Sequence, residues 1–330
     1  MRIVIATGIY PPQVGGPAYY AKGLAEAYTE LGHVAVPVTY GALLRLPIGV
    51  RHLAYLARLI PKMRSASAVI ALDTFSVAMP AAVACKIMRI PLIIRTGGDF
   101  LWEEYLERTG EIILLKDFYN APRALNVKEK LIVRMTRFAL DRAKYIVFST
   151  RLQRDIWTKA YEIDSSKTKI IENAIEPMLE PAPAAEKNFL WYVRPTAFKN
   201  AARVREAFSL AKKKFPDITL EEGQIPKAQL LERMKGCYAV ILPSLTEISP
   251  NYVIDALRFH KPFIMDKYSG LADELAPYGL LVDPLKVEDI ARGIEELASD
   301  DGYQRALGKA KQFNRARTYR EIAQDFLALI

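Results

Sequence analysis

Arg194 and Lys199 stand five positions apart in "WYVRPTAFKN", where an apolar run ends just before a helical stretch. Two cations at a strand end beside a helix N-terminus can neutralise a diphosphate, because the helix dipole and its free amides add to their charge. The competing reading is a pair of solvated surface cations. Glu247 and Asp255 lie eight positions apart in "LPSLTEISPNYVIDALRFHKPFI". Ser249 reads as the N-cap and Pro250 as the first position of a helix, so Glu247 either meets a ligand or favours the helix dipole. Asp255 follows inside that helix, among Val253, Ile254, Ala256 and Leu257. A carboxylate in apolar surroundings needs hydrogen-bond donors, and the vicinal hydroxyls of a ribose would supply them. The ligand these four residues suggest is a nucleotide-sugar.

Other stretches add to the set. "PPQVGGPAYY" places Gly15 and Gly16 in the first strand-to-helix loop, where glycine lets backbone approach a ligand closely or simply makes a turn. It is neither a GxGxxG nor a Walker loop, which removes the signature of nicotinamide-cofactor and P-loop enzymes. "RTGGDFLWEEY" carries Asp99 at a strand end, either a ligand-facing carboxylate or the cap of the helix beginning at Phe100. The segment 43–64 mixes Leu, Ile, Val and Tyr with Arg45, Arg51, Arg58, Lys62 and Arg64 and has no acid. It reads as a basic amphipathic helix suited to an anionic membrane surface, or as a core-facing helix with a basic solvent face. The three histidines are scattered, without metal spacing, and Cys85 and Cys237 are too few for a disulfide framework or zinc site.

The elements that must position these residues follow from the pattern. Length of 330 residues suggests two domains, and 51% apolar with 25% charged residues suits a globular protein. Strands alternate with helices from the first strand onward, which implies parallel sheets flanked by helices. "ENAIEPMLEPAPAAEKN" breaks the rhythm and marks a linker. The expected organisation is an N-terminal domain over 1–176, a linker over 177–187, a C-terminal domain over 188–312, and a final segment 313–330 returning to the N-terminal domain. A signal peptide and a bilayer-spanning apolar run are both absent from the pattern, so a cytoplasmic protein is expected. Net charge is +9, and residues 1–150 hold 19 Lys/Arg against 11 Asp/Glu. An anionic partner is therefore expected: nucleic acid, lipid or phosphorylated substrate. Without a recognition motif, nucleic acid ranks last.

Together these pieces resemble the family-four retaining glycosyltransferases of the GT-B fold, over nearly the whole chain. The resemblance is carried by "YPPQVGGPAYYAKGLAEAYTELGH", "GGDFLWEEY", "IENAIEP", "RPTAFK" as an Arg-x4-Lys motif, and "PSLTEISPNYVIDALRFHKPFI" as an E-x7-E block. It implies two Rossmann-like domains facing a central cleft, a nucleotide-diphosphate-sugar held mainly by the C-terminal domain, and a glycan or lipid-linked acceptor held mainly by the N-terminal one. By motif position Arg194 and Lys199 would hold the diphosphate, Glu247 the sugar and Asp255 the ribose. Ile248, Ser249 and Asn251 would extend the donor site, Gly15 and Gly16 would approach the phosphates, and Asp99 would lie near the reacting groups. The family needs neither metal nor cofactor. This chain departs from it in having Asp255 where Glu is usual, Ile248-Ser249-Pro250 where Phe-Gly is usual, and Gly98 where many members have His. A short span between "ITLEE" and "YAVILPS" implies that one βα unit of the C-terminal domain is missing. The expected function is retaining sugar transfer in surface polysaccharide or glycolipid assembly, at the inner face of a membrane. The alternatives are a degenerate GT-B scaffold without transferase activity and a nucleotide-sugar epimerase.

Overall fold

The structure, a computed structural model, describes residues 1–13 and 15–330. Its elements run β1 (Arg2–Ala6), α1 (Gly16–Glu30), β2 (Val34–Val38), α2 (Ile48–Lys62), β3 (Ala68–Ala71), α3 (Ala78–Met88), β4 (Leu92–Thr96), α4 (Phe100–Thr109), α5 (Leu115–Phe118), α6 (Val127–Arg142), β5 (Tyr145–Phe148), α7 (Arg151–Tyr161) and β6 (Thr168–Ile170). They continue with β7 (Asn188–Tyr192), α8 (Ala201–Lys214), β8 (Thr219–Gly223), α9 (Lys227–Gly236), β9 (Ala239–Leu242), α10 (Asn251–Arg258), β10 (Phe263–Asp266), α11 (Ala272–Leu275), β11 (Leu280–Val282), α12 (Val287–Ala298), α13 (Asp300–Ala310) and α14 (Tyr319–Leu327). The chain divides into two compact units. Unit 1 comprises 1–101, 124–174 and 317–330, and unit 2 comprises 102–123 and 175–316.

Unit 1 is built on a six-stranded parallel sheet in the order β2-β1-β3-β4-β5-β6. Its inner strands are almost wholly apolar because helices cover both faces. On one face Ile3, Ile5, Ile70, Ile93 and Val147 meet Leu24 and Tyr28 of α1 and Ile322 and Phe326 of α14. α14 starts at a capping box, with Thr318 and Glu321 exchanging bonds, which sets where the last segment turns helical.

Unit 2 has a five-stranded parallel sheet, β11-β10-β9-β7-β8. The period-two alternation of its strands sorts residues between two cores. Phe189, Trp191, Ala239, Ile241 and Ile264 face α8 and α12, while Leu190, Val240, Leu242, Phe263 and Met265 face α9 and α10. Counting β7 as the first strand, the order is the doubly wound 3-2-1-4-5-6 with its third strand missing. This is the missing βα unit that the short span implies. It leaves β8 as the sheet edge, where Glu221 and Glu222 supply the charge that discourages further pairing.

Three details differ from the sequence reading. Residues 102–123 belong to unit 2 rather than to an N-terminal domain over 1–176, because side chains there are buried against unit 2: the Trp102 ring lies 5.5 Å from Phe198, and the Leu115 amide donates to Thr246 Oγ1 at 3.1 Å. Ile175 and the linker region 177–187 likewise group with unit 2. The segment 43–64 is not one helix, since a 3₁₀ turn over Gly41–Arg45 precedes α2 and Pro47 sits at the α2 N-cap.

Candidate functional site

Loops at the carboxyl ends of β7, β9 and β10 bring together the residues of unit 2 that carry charge. After β7 the chain makes a 3₁₀ turn, Ala197–Lys199, and is reversed by Asn200 in the left-handed region at φ 65°. Asparagine tolerates that conformation, and here its Nδ2 also donates to the Pro243 and Pro284 carbonyls at 3.1 and 2.8 Å. This pins the loop so that Lys199 Nζ reaches Glu247 Oε1 at 2.5 Å, with only 13% and 12% of the two side chains exposed.

Glu247 is held from several sides. Ser244 Oγ donates to its Oε1 at 2.6 Å, its amide donates to Ser269 Oγ at 3.1 Å, and its carbonyl accepts from the Gly270 amide at 2.7 Å. Ser269 Oγ in turn donates to Asp266 Oδ2, and the Tyr268 amide donates to Oδ1 at 2.9 Å. Asp266 is the last residue of β10 and fully buried. Burial first, and the Glu247 charge second, push its carboxyl up to about 8. The result is a connected polar chain, Lys199, Glu247, Ser244, Ser269 and Asp266, across three adjacent strand ends.

Beside it lies a cavity of about 550 Å³, lined by Arg194, Lys199 and Arg203, by Trp191 of β7, by Gly223 at the end of β8 and by Ile112 of the 102–123 segment. Arg194 is exposed and makes no ion pair among the described residues, so its guanidinium is available to an anion. The volume falls in the range of small-molecule sites, roughly 300–1,000 Å³.

The structure brings Arg194, Lys199 and Glu247 into one neighbourhood but treats the remaining sequence-predicted residues differently. Asp255 is 8% exposed, and its donors come from the protein: Lys227 Nζ contacts Oδ2, and Arg258 Nη1 lies 3.2 Å from Oδ1. Arg258 also pairs with Glu176 at 2.8 Å and donates to the Pro177 carbonyl at 2.9 Å. The donors expected from a ribose are thus already supplied, and Asp255 ties α10 to α9 and to the 175–177 strand-like segment. Ser249 is not the N-cap, because α10 begins at Asn251 with Pro250 before it, and Ser249 Oγ donates to Asn251 Oδ1 at 3.3 Å instead. Ile248 is buried and Asn251 exposed.

Gly15, Gly16 and Asp99 lie in unit 1. Gly15 is the N-cap of α1, and a Cβ there would come within 2.9 Å of the Ile9 side chain. Gly16 opens the helix, and a Cβ there would meet nothing within 4 Å. Asp99 is 1% exposed and accepts from Trp157 Nε1 at 2.8 Å. The indole bond adds a structural role that the two sequence readings of Asp99 did not include.

Sequence reasoning missed Asp266, Ser244, Ser269 and Asn200. The readable signal was an Asp closing the apolar strand "PFIMD", since a polar residue at a strand's carboxyl end sits where ligands bind. Among the described residues, no group of three or more His, Cys, Asp or Glu side chains could hold a metal ion.

With this geometry in place, the comparisons converge. Residues 222–313 match the family described as Glycosyl transferases group 1. No curated protein matches the chain in sequence. Sucrose-phosphate synthase from Thermosynechococcus elongatus is similar over 99% of this chain and 96% of its own, at 16% identity and a TM-score of 0.67. WaaG, a glycosyltransferase involved in lipopolysaccharide biosynthesis, is similar over 99% of each chain, at 12% identity and a TM-score of 0.65. A mutant of S. aureus TarM, in complex with fondaparinux, alpha-GlcNAc-glycerol and UDP, is similar over 83% of this chain and 58% of its own, at 15% identity and a TM-score of 0.56. The resemblance to GT-B glycosyltransferases read from the sequence holds, and the α/β fold is that of these proteins.

Proposed function

We propose, proceeding from a GT-B chain whose residues 222–313 match the group 1 glycosyl transferases, that the protein is a retaining glycosyltransferase taking its sugar from a nucleotide-diphosphate-sugar. The observation that carries this reading is the cavity of about 550 Å³ at the ends of β7 and β8, with Arg194 and Lys199 in its wall and Glu247 bonded to Lys199. A nucleotide-sugar combines a large flat group with two phosphates, and a cavity with two cations and apolar walls suits that combination. TarM was solved with UDP, which favours a nucleotide in the corresponding role here.

In this reading Arg194 and Lys199 stabilise the charge that develops on the leaving diphosphate. Lys199 spends one of three ammonium donors on Glu247 and keeps two for phosphate oxygens. Glu247, fixed by Lys199 and Ser244, accepts from sugar hydroxyls. Same-face substitution then needs no protein nucleophile, because the departing diphosphate takes the acceptor's proton. Asp255 acts through the fold, by fixing α10. The acceptor is a glycan or lipid-linked sugar bound by unit 1.

A peripheral membrane contact completes the proposal. Val50 and Leu53 of α2 are 53% and 69% exposed, next to exposed Leu44, Arg45 and Leu46, while Tyr55, Leu59 and Met63 fill the core. No helix among the described residues is long and apolar enough to cross a membrane. An apolar strip beside cations suits the inner face of a membrane, and the role of WaaG in lipopolysaccharide biosynthesis favours a surface-glycan pathway.

The test is calorimetric titration of the protein with UDP-, GDP-, ADP- and TDP-sugars, followed by product analysis with donor alone and with acceptor. Saturable binding of one donor that weakens in Arg194→Ala supports the proposal. The missing third strand of unit 2 favours the rival reading, a scaffold of the same fold, and absence of binding by every donor would establish that rival.

A further inference from the structure

Arg95 is the one charged residue within β4, and only 6% of it is exposed. Removing a guanidinium from water costs several kcal/mol unless an anion and hydrogen bonds compensate it. The compensation in unit 1 is neutral. The Arg95 guanidinium lies over the Tyr20 ring at 4.1 Å, and its Nη2 donates to Asn173 Oδ1 at 2.5 Å. Its Nε has no hydrogen-bond partner, nor has the Tyr20 hydroxyl beside it. On the third side stands Gly97, which is exposed and where any Cβ would run into Arg95 Nη1. A side chain at 97 would therefore occupy the approach to the guanidinium, and glycine keeps it clear. Arg95, Gly97, Tyr20 and Asn173 all sit at the carboxyl end of the unit 1 sheet or on the α1 turn beside it, where parallel α/β sheets take ligands.

We propose that Arg95, framed by Tyr20, Asn173 and Gly97, recognises an anionic group, phosphate or carboxylate, on the ligand that unit 1 binds. Naming that ligand the acceptor rests on the glycosyl-transfer reading above, whereas the anion site itself does not. Five donors in a planar fork suit two anion oxygens at once, and the excess of cations in residues 1–150 favours an anion's approach.

The experiment titrates the full chain with inorganic phosphate, glucose 6-phosphate, glucose and UDP, in the wild type, Arg95→Gln and Gly97→Ala. Phosphate and glucose 6-phosphate are expected to bind the wild type, more weakly at high salt, while glucose does not. Arg95→Gln is expected to weaken both by about tenfold or more, the loss of one charge-assisted pair, with UDP affinity unchanged. Should Arg95→Gln fail to fold, Gly97→Ala retains the cation but shifts it, and is expected to weaken phosphate while still unfolding in one cooperative transition. Phosphate binding that is absent in the wild type, or equal in both variants, overturns the site. UDP weakened by Arg95→Gln with glucose 6-phosphate unaffected would assign the anion to the donor and overturn the acceptor assignment. UDP failing to bind wild type that still binds phosphate would count against the glycosyl-transfer reading alone.

Discussion

At the scale of single residues, the charged loops of unit 2 make two predictions. Arg194→Ala and Lys199→Ala each remove a cation from the developing diphosphate charge and are expected to lower turnover by roughly 10²–10³-fold. Arg194→Ala, at an exposed position, is expected to melt like wild type. Initial-rate assays with the donor found by titration check this, and full turnover in both variants would reject the assigned roles. The second prediction concerns Asp266, whose carboxyl stands near 8 in the fold against an ordinary 3.8. A raised acid binds its proton more tightly folded than unfolded, so its contribution is fully present below about pH 4 and fades as pH rises towards 8. Asp266→Asn removes that titration and is expected to flatten the decline of the urea midpoint over this window. Wild-type and variant curves that run parallel would show that Glu247 and Lys199, the charges facing it, set the dependence instead. The placement of Arg194, Lys199 and Glu247 in strand-end loops was legible in the sequence, because polar residues that follow an apolar run announce themselves locally. The Asp255 role was not, because its partners Lys227 and Arg258 become neighbours only when α9 and α10 pack.

At the scale of elements, α1 packs tightly against α14 in unit 1. A Cβ at Gly23 would lie 2.5 Å from the Tyr319 ring, and Tyr319 already meets Tyr20 edge-on at 5.8 Å. Gly23→Ala must push the two helices apart and is expected to destabilise unit 1 by about 1–3 kcal/mol, despite the better helix propensity of alanine. Phe326→Ala, at a fully buried position, is expected to cost about 3–5 kcal/mol. Denaturant unfolding measures both, and a stabilised Gly23→Ala would show that the helices shift freely. The alternation of strands and helices was readable, since parallel strands buried on both faces give uninterrupted apolar runs. The start of α10 was misread by one residue, because Ser249-Pro250 is a strong start signal while Ser249 Oγ turns to Asn251 rather than to a helix amide.

At the scale of the whole chain, the two units are woven from separated stretches. The excursion 102–123 was not legible, because the Leu115–Thr246 bond spans 131 positions and no local periodicity encodes it. Its consequence is measurable: residues 175–316 alone lack Ile112 and its neighbours in the cavity wall and leave Phe198 without Trp102. That fragment is expected to lose the donor affinity of the full chain in calorimetry, and unchanged affinity would show that the excursion is dispensable. The closing segment carries a consequence of another kind. Unit 1 begins before unit 2, yet its core includes Ile322, Ala323 and Phe326 of α14, which follows unit 2. Unit 2 has all its residues by Ala316, before the 317–330 segment that unit 1 still needs. Domains emerging from a ribosome usually mature in the order they are written. Here the unit begun first is finished after the other, and a nascent chain must shelter its unsealed apolar face until α14 is released.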